Sequence, residues 1–121
     1  MIVENETFVL EALEDILSAV GFVPLSTKSG HEAVRIFQKH QREIDLVILD
    51  LHLPDMSGIE VLSALRRIDP DARIIISSGY SEREILEQLR KQQATILRKP
   101  YNAQLLLDCV HRELGYQEGR G

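Results

Sequence analysis

The chain has 121 residues, 44% hydrophobic and 27% charged, enough to bury one sizeable core and not two. A net charge of −5, scattered basic residues and no tryptophan exclude a nucleic-acid face of clustered Lys/Arg and aromatics. No apolar run approaches ~18–20 residues and Met1 leads straight into Ile2-Val3, so neither a membrane span nor a secretory signal is expected; the single Cys109, among leucines, reads as a packed thiol in a reducing, cytoplasmic setting.

Apolar spacing alternates between two periods, the pattern of helices laid over a parallel sheet, and reads strand then helix five times. Ile2-Val3 ends a short first strand. Val9, Leu10, Leu13, Ile16, Leu17 and Val20 then recur at three- and four-residue steps to Gly21, a first helix. Phe22 to Thr27 reads as a second strand that Pro24 confines to an edge or a strand end. Ser29 caps a helix from Gly30 to His40 that buries Ala33, Val34 and Phe37. Leu46 to Leu49 is apolar without alternation, as a central strand covered on both faces requires.

The third helix carries Ile59, Val61, Leu62, Leu65 and Ile68, with Ser57 placed to cap it and Asp69-Pro70 ending it. Ile74-Ile75-Ile76 is a fourth strand, and Ser81, with Glu84 in a capping box, starts a fourth helix bearing Ile85, Leu86 and Leu89. Thr95 to Leu97 is a short fifth strand, followed by a helix lined by Leu106, Leu107, Val110 and Leu114 that ends at Gly115. One domain over residues 1–115 is expected, with a disordered tail over 116–121.

In an open parallel sheet, ligands bind outside the carboxyl ends of the strands, where strand order reverses. The polar residues at those ends are Glu4, Asn5 and Glu6, then Asp50, then Ser77 and Ser78, then Lys99 before Pro100. Carboxylates held together there repel unless a cation lies between them, and oxygen donors of this kind suit octahedral Mg²⁺. A hydroxyl and a lysine opposite would meet phosphoryl oxygens.

With Glu4-Asn5 after the first strand, Asp50 ending the third, Ser78 ending the fourth, Lys99-Pro100 after the fifth, and Pro54 and Gly58 in the loop after Asp50, the chain resembles the response-regulator receiver domains of two-component signalling. The resemblance spans residues 1–115 and implies a doubly wound (βα)₅ flavodoxin-like domain with a five-stranded parallel sheet. It implies that Asp50 accepts a phosphoryl group from the phosphohistidine of a histidine kinase or phosphotransfer protein. Mg²⁺ would be held by Glu4, Asn5, Asp50 and the backbone carbonyl of His52. Ser78 and Lys99 would bind the phosphoryl oxygens, with a cis peptide before Pro100. The surface over the fourth helix, fifth strand and fifth helix would switch to present an output face to a downstream domain or partner, with a weak homodimer also among the associations the family allows. The chain is expected to be no enzyme beyond slow self-dephosphorylation and to carry no output domain.

This chain departs from the family pattern at Asn5 and Ile96, and carries bulky residues at His52 and Tyr80. Asn5 replaces a carboxylate metal ligand with a weaker amide, which Glu6 compensates only if it reaches the ion through water. Ile96 stands where the family often has an aromatic rotor. His52 and Tyr80 occupy positions that influence hydrolysis of the aspartyl phosphate, so its lifetime is expected to be altered.

Each site residue also has a plainer role to weigh. Asp50 as a helix cap is disfavoured by the intervening loop; Asn5 could cap the first helix; Ser78 could be a turn residue, with Ser77 the alternative if the register slips by one; Lys99 could be a solvated lysine. His31, His40 and His111 lack ligand spacing, and Arg66-Arg67 and Arg90-Lys91 read as solvated faces. Two competing functions remain: a degenerate receiver that binds partners independently of phosphate, and a haloacid-dehalogenase-type hydrolase, which needs a second Asp where His52 stands.

Overall fold

The alternating periods form, in chain order, β1 (Ile2–Val3), α1 (Thr7–Ala19), β2 (Ser26–Thr27), α2 (Gly30–His40), β3 (Val47–Asp50), α3 (Gly58–Ile68), β4 (Ile74–Ser78), α4 (Arg83–Lys91), β5 (Thr95–Arg98) and α5 (Ala103–Glu113). The computed structural model describes residues 1–79 and 83–115, with the backbone alone at 83–86. The Ser81 cap, Tyr80 and the tail at 116–121 lie outside the described residues, and so do the side chains of Glu84, Ile85 and Leu86.

All four strand pairings are parallel, in the order β2-β1-β3-β4-β5, which is the doubly wound arrangement expected. Pleating sends successive side chains of the central strands into two separate cores. Val47, Leu49, Ile74 and Ile76 meet Phe37 of α2 and Leu62 of α3, while Ile48 and Ile75 meet Leu13 of α1 and Leu106 of α5. Both layers are apolar, so the central strands read as unbroken hydrophobic runs. Cys109 is buried in the second layer, as its leucine-rich setting required, and burial raises its thiol pKa.

The second strand is shorter than its sequence suggested. Only Ser26 and Thr27 pair, because β1 offers just Ile2 and Val3 as partners. Pro24 cannot donate to a ladder, and Val23 is 90% exposed at this sheet edge. The third strand begins one residue later than expected and includes Asp50, and the fourth and fifth run on through Ser78 and Arg98. Polar ends do not stop a strand whose neighbours still pair with it.

Side-chain caps hold three helices at their starts. Ser29 accepts from Glu32 N, Ser57 from Glu60 N and Asn102 from Leu105 N. At α1 the cap weighed as the plainer role of Asn5 is not made: Glu6 holds the N-cap position, with no side-chain cap bond. Gly58 starts α3 because a Cβ there would lie 2.6 Å from Leu51 Cα and 3.0 Å from the Asp50 carbonyl oxygen. The helix can thus begin directly against the end of β3.

Candidate functional site

Strand order reverses between β1 and β3, whose carboxyl ends flank one crevice. Glu4 follows β1 and Asp50 closes β3. Alternation along each strand puts both side chains on the α1/α5 side, continuing the direction of Ile2 and Ile48. Both are nearly closed off from solvent, at 1% and 4% exposure. Lys99, reaching in after β5, lies 3.4 Å from Glu4 Oε1 and 3.5 Å from Asp50 Oδ1 through its Nζ. Three elements distant in sequence thus converge on two acids and one ammonium.

Burial raises the pKa of Glu4; the Glu6 N–H, which donates to Glu4 Oε2 at 3.0 Å, opposes the rise, and neighbouring Asp50 adds to it. Burial alone would lower the pKa of Lys99, but the facing carboxylates of Asp50 and Glu4 outweigh it and the pKa is raised. The ammonium is therefore firmly charged.

Asn5 is exposed beside Glu4, and Glu6 is exposed one residue further along. The His52 N–H donates to Asp50 Oδ1 at 3.2 Å, which folds the loop back over the strand end. Among the described residues, no group of three His, Cys, Asp or Glu side chains gathers to hold a metal. What the crevice does gather is two buried carboxylates, Glu4 and Asp50, with the exposed amide residue Asn5 next to Glu4 in sequence. The oxygen chemistry of these carboxylates fits a hard divalent ion that keeps several waters.

The two serines of β4 differ. Ser77 pairs in register with Asp50, is 1% exposed, and has no hydrogen-bond partner for its Oγ. Ser78 Oγ donates to the Gly79 carbonyl at 3.1 Å, and the Ser78 carbonyl accepts from Lys99 N at 2.7 Å. Ser78 is thereby tied to the Lys99 segment, while Ser77 sits closer to Asp50 in the sheet. The Lys99-Pro100 peptide is cis, as expected.

Two participants escaped the sequence reading. Tyr101, packed against the α1/α5 core, buries its hydroxyl without a hydrogen-bond partner. Burial raises its pKa; the Ser77 hydroxyl is close enough to oppose that rise without meeting hydrogen-bond geometry. Its place two residues after Lys99 was the available signal. Asp55 lies in the loop after Asp50 and meets the start of α2, a contact across 25 residues that local spacing does not reveal.

A family model described as "Response regulator receiver domain" matches residues 1–111. Chemotaxis protein CheY of Bacillus subtilis (strain 168) is 29% identical over 116 residues, spanning 94% of this chain and 95% of that one. Sporulation initiation phosphotransferase F of the same organism is 29% identical over 94% of this chain and 91% of its own. Among solved structures, a response regulator receiver domain protein from Clostridium thermocellum superposes with a TM-score of 0.89 at 29% identity, covering 94% and 91% of the two chains. CheY in a complex with CheX, BeF₃ and Mg²⁺ from Borrelia burgdorferi gives a TM-score of 0.85 at 31% identity, covering 92% and 84%.

Proposed function

Because the chain belongs to the response regulator receiver domains of two-component signalling, we propose that Asp50 is its phosphoacceptor and that Glu4, Asn5, Ser78 and Lys99 serve it. The observation that carries this is the Lys99 ammonium held within 3.5 Å of both buried carboxylates at the strand-order reversal. Family membership leaves neither the phosphate-independent module nor the dehalogenase-type hydrolase favoured.

In the proposed reaction an Asp50 carboxylate oxygen attacks the phosphorus of a phosphohistidine on a partner kinase or phosphotransfer protein. A P–O bond forms as the P–N bond breaks, and the imidazole leaves. Lys99 meets one phosphoryl oxygen as a fixed positive charge that burial strengthens. Ser78 gives up its bond to the Gly79 carbonyl and donates to another, and because its own carbonyl holds Lys99 N, that movement reaches β5 directly. Glu4, Asn5, Asp50 and the His52 carbonyl would hold Mg²⁺, which when bound supplies charge neutralisation for the transferred group. His52 and Tyr80, two residues after Asp50 and Ser78 in the sequence, would modulate hydrolysis of the aspartyl phosphate.

The output face proposed is α4, β5 and α5. β5 is the sheet edge, and Leu105 on α5 is half exposed beside it. The test is incubation with Mg²⁺ and acetyl phosphate followed by intact mass. A gain of one phosphoryl group that Asp50→Asn abolishes is expected. No gain across a full Mg²⁺ range would refute the assignment.

A further inference from the structure

We propose that Asp55 is a positioning residue of this site: by clamping the loop after β3 onto the start of α2, it sets where the main-chain carbonyl of His52 stands and hence how tightly a divalent cation is held. The inference rests on the phosphoacceptor reading, from which it takes the His52 carbonyl as a ligand.

The loop over residues 51–57 is tied at its base. Gly58 N donates to the Leu51 carbonyl at 3.0 Å, and His52 and Ser57 form an isolated antiparallel bridge. Those bonds shape the loop but do not locate its tip. Asp55 does so. Its Oδ1 accepts from Gly30 N at 2.8 Å; its Oδ2 accepts from His31 N at 2.9 Å and Ser29 Oγ at 2.8 Å, and meets His31 Nδ1 at 2.6 Å. α2 is a rigid anchor, since Ala33 and Phe37 are buried in the core. The absence of a side chain at Gly30 completes the seat, because a Cβ there would overlap Met56, the next residue of the loop.

A simple capping role accounts for less than this. Ser29 already caps α2 through Glu32 N, so the helix has a local cap of its own. Asp55 adds bonds to the first two helical N–H groups, from a residue that lies three positions beyond His52. These bonds to a charged acceptor also hold the Asp55 carboxyl well below the usual carboxylate range. With base and tip both fixed, the His52 peptide has little freedom to drift from Asp50. Oxygen ligands misplaced even slightly weaken a cation that tolerates little distortion.

The experiment is Mg²⁺ titration of the full chain without phosphodonor, followed by backbone amide NMR shifts, for wild type, Asp55→Ala, Asp55→Asn and a control, Thr95→Val. The control removes the 2.6 Å bond from Thr95 to Glu113 at the opposite end of the sheet, a structural loss remote from the loop. Asp55→Ala is expected to raise the Mg²⁺ Kd about tenfold, with Asp55→Asn intermediate because it keeps one acceptor oxygen, and Thr95→Val unchanged. If Asp55→Ala does not fold, the Asn variant alone must show at least a twofold loss. Wild-type binding of Mg²⁺ with both Asp55 variants within twofold of it overturns this proposal alone. A wild-type chain that binds no Mg²⁺ overturns it together with the metal assignment beneath it.

Discussion

Replacing Lys99 by methionine keeps the stem that packs across the crevice but removes the charge between Glu4 and Asp50. At 3.4 and 3.5 Å, each ion contact amounts to about 5 kcal/mol of gross attraction at an effective dielectric of ~20. The desolvation of the lysine offsets much of it. Removing one partner of a buried pair costs ~3–5 kcal/mol, and the Lys99 side chain retains 28% exposure, which places this case at the low end, about 3 kcal/mol at pH 8. For a domain of this size that lowers Tm by roughly 10 °C. The loss has a definite pH sign. Glu4 already has a raised pKa in the folded state, and without Lys99 it rises further. The folded chain then binds more protons than the unfolded one between the two pKa values, so stability recovers as pH falls through that window. Urea unfolding of Lys99→Met at pH 8 and pH 5.5 reads this out as a deficit that shrinks at the lower pH. A deficit under about 1 kcal/mol at pH 8, or one equal at both pH values, would refute the electrostatic account.

Three further outcomes are expected. Ser57→Ala removes the acceptor for Glu60 N at the start of α3 and should cost about 1 kcal/mol in denaturant unfolding, whereas no change would show that water replaces the cap. Leu62→Ala empties a fully buried position and should cost ~2–5 kcal/mol by urea unfolding; a loss below 1 kcal/mol would mean the layer collapses around the gap. Because backbone N–H groups of His31 and Gly30 hold Asp55 ionised, its carboxyl ¹³C shift should titrate well below the ~3.9 of a free aspartate, and the stability it contributes is present above that ordinary pKa and lost as pH falls toward the depressed one. An ordinary midpoint would show that the α2 clamp does not persist in solution.

Most helices announced themselves locally. The Gly30–His40 and Gly58–Ile68 stripes, with Ser29 and Ser57 before them, are short-range patterns set by side chains three and four residues apart. The edges of the strands were harder, because a strand's length depends on its partner: β2 is cut short by what β1 can pair with, and Asp50 and Ser78 are strand residues because their neighbours continue.

Residue types and their spacing by themselves determined the βα alternation, two apolar faces on the central strands, and polar groups at the strand ends, since each depends on periodicity within a few residues. Only the tertiary structure decided that Lys99 stands between Glu4 and Asp50, that Ser77 and not Ser78 lies in register with Asp50, and that Asp55 grips α2. Those are contacts between segments 25 to 95 residues apart. Strand order and register bring such segments together, and neither is written in any local stretch of the chain.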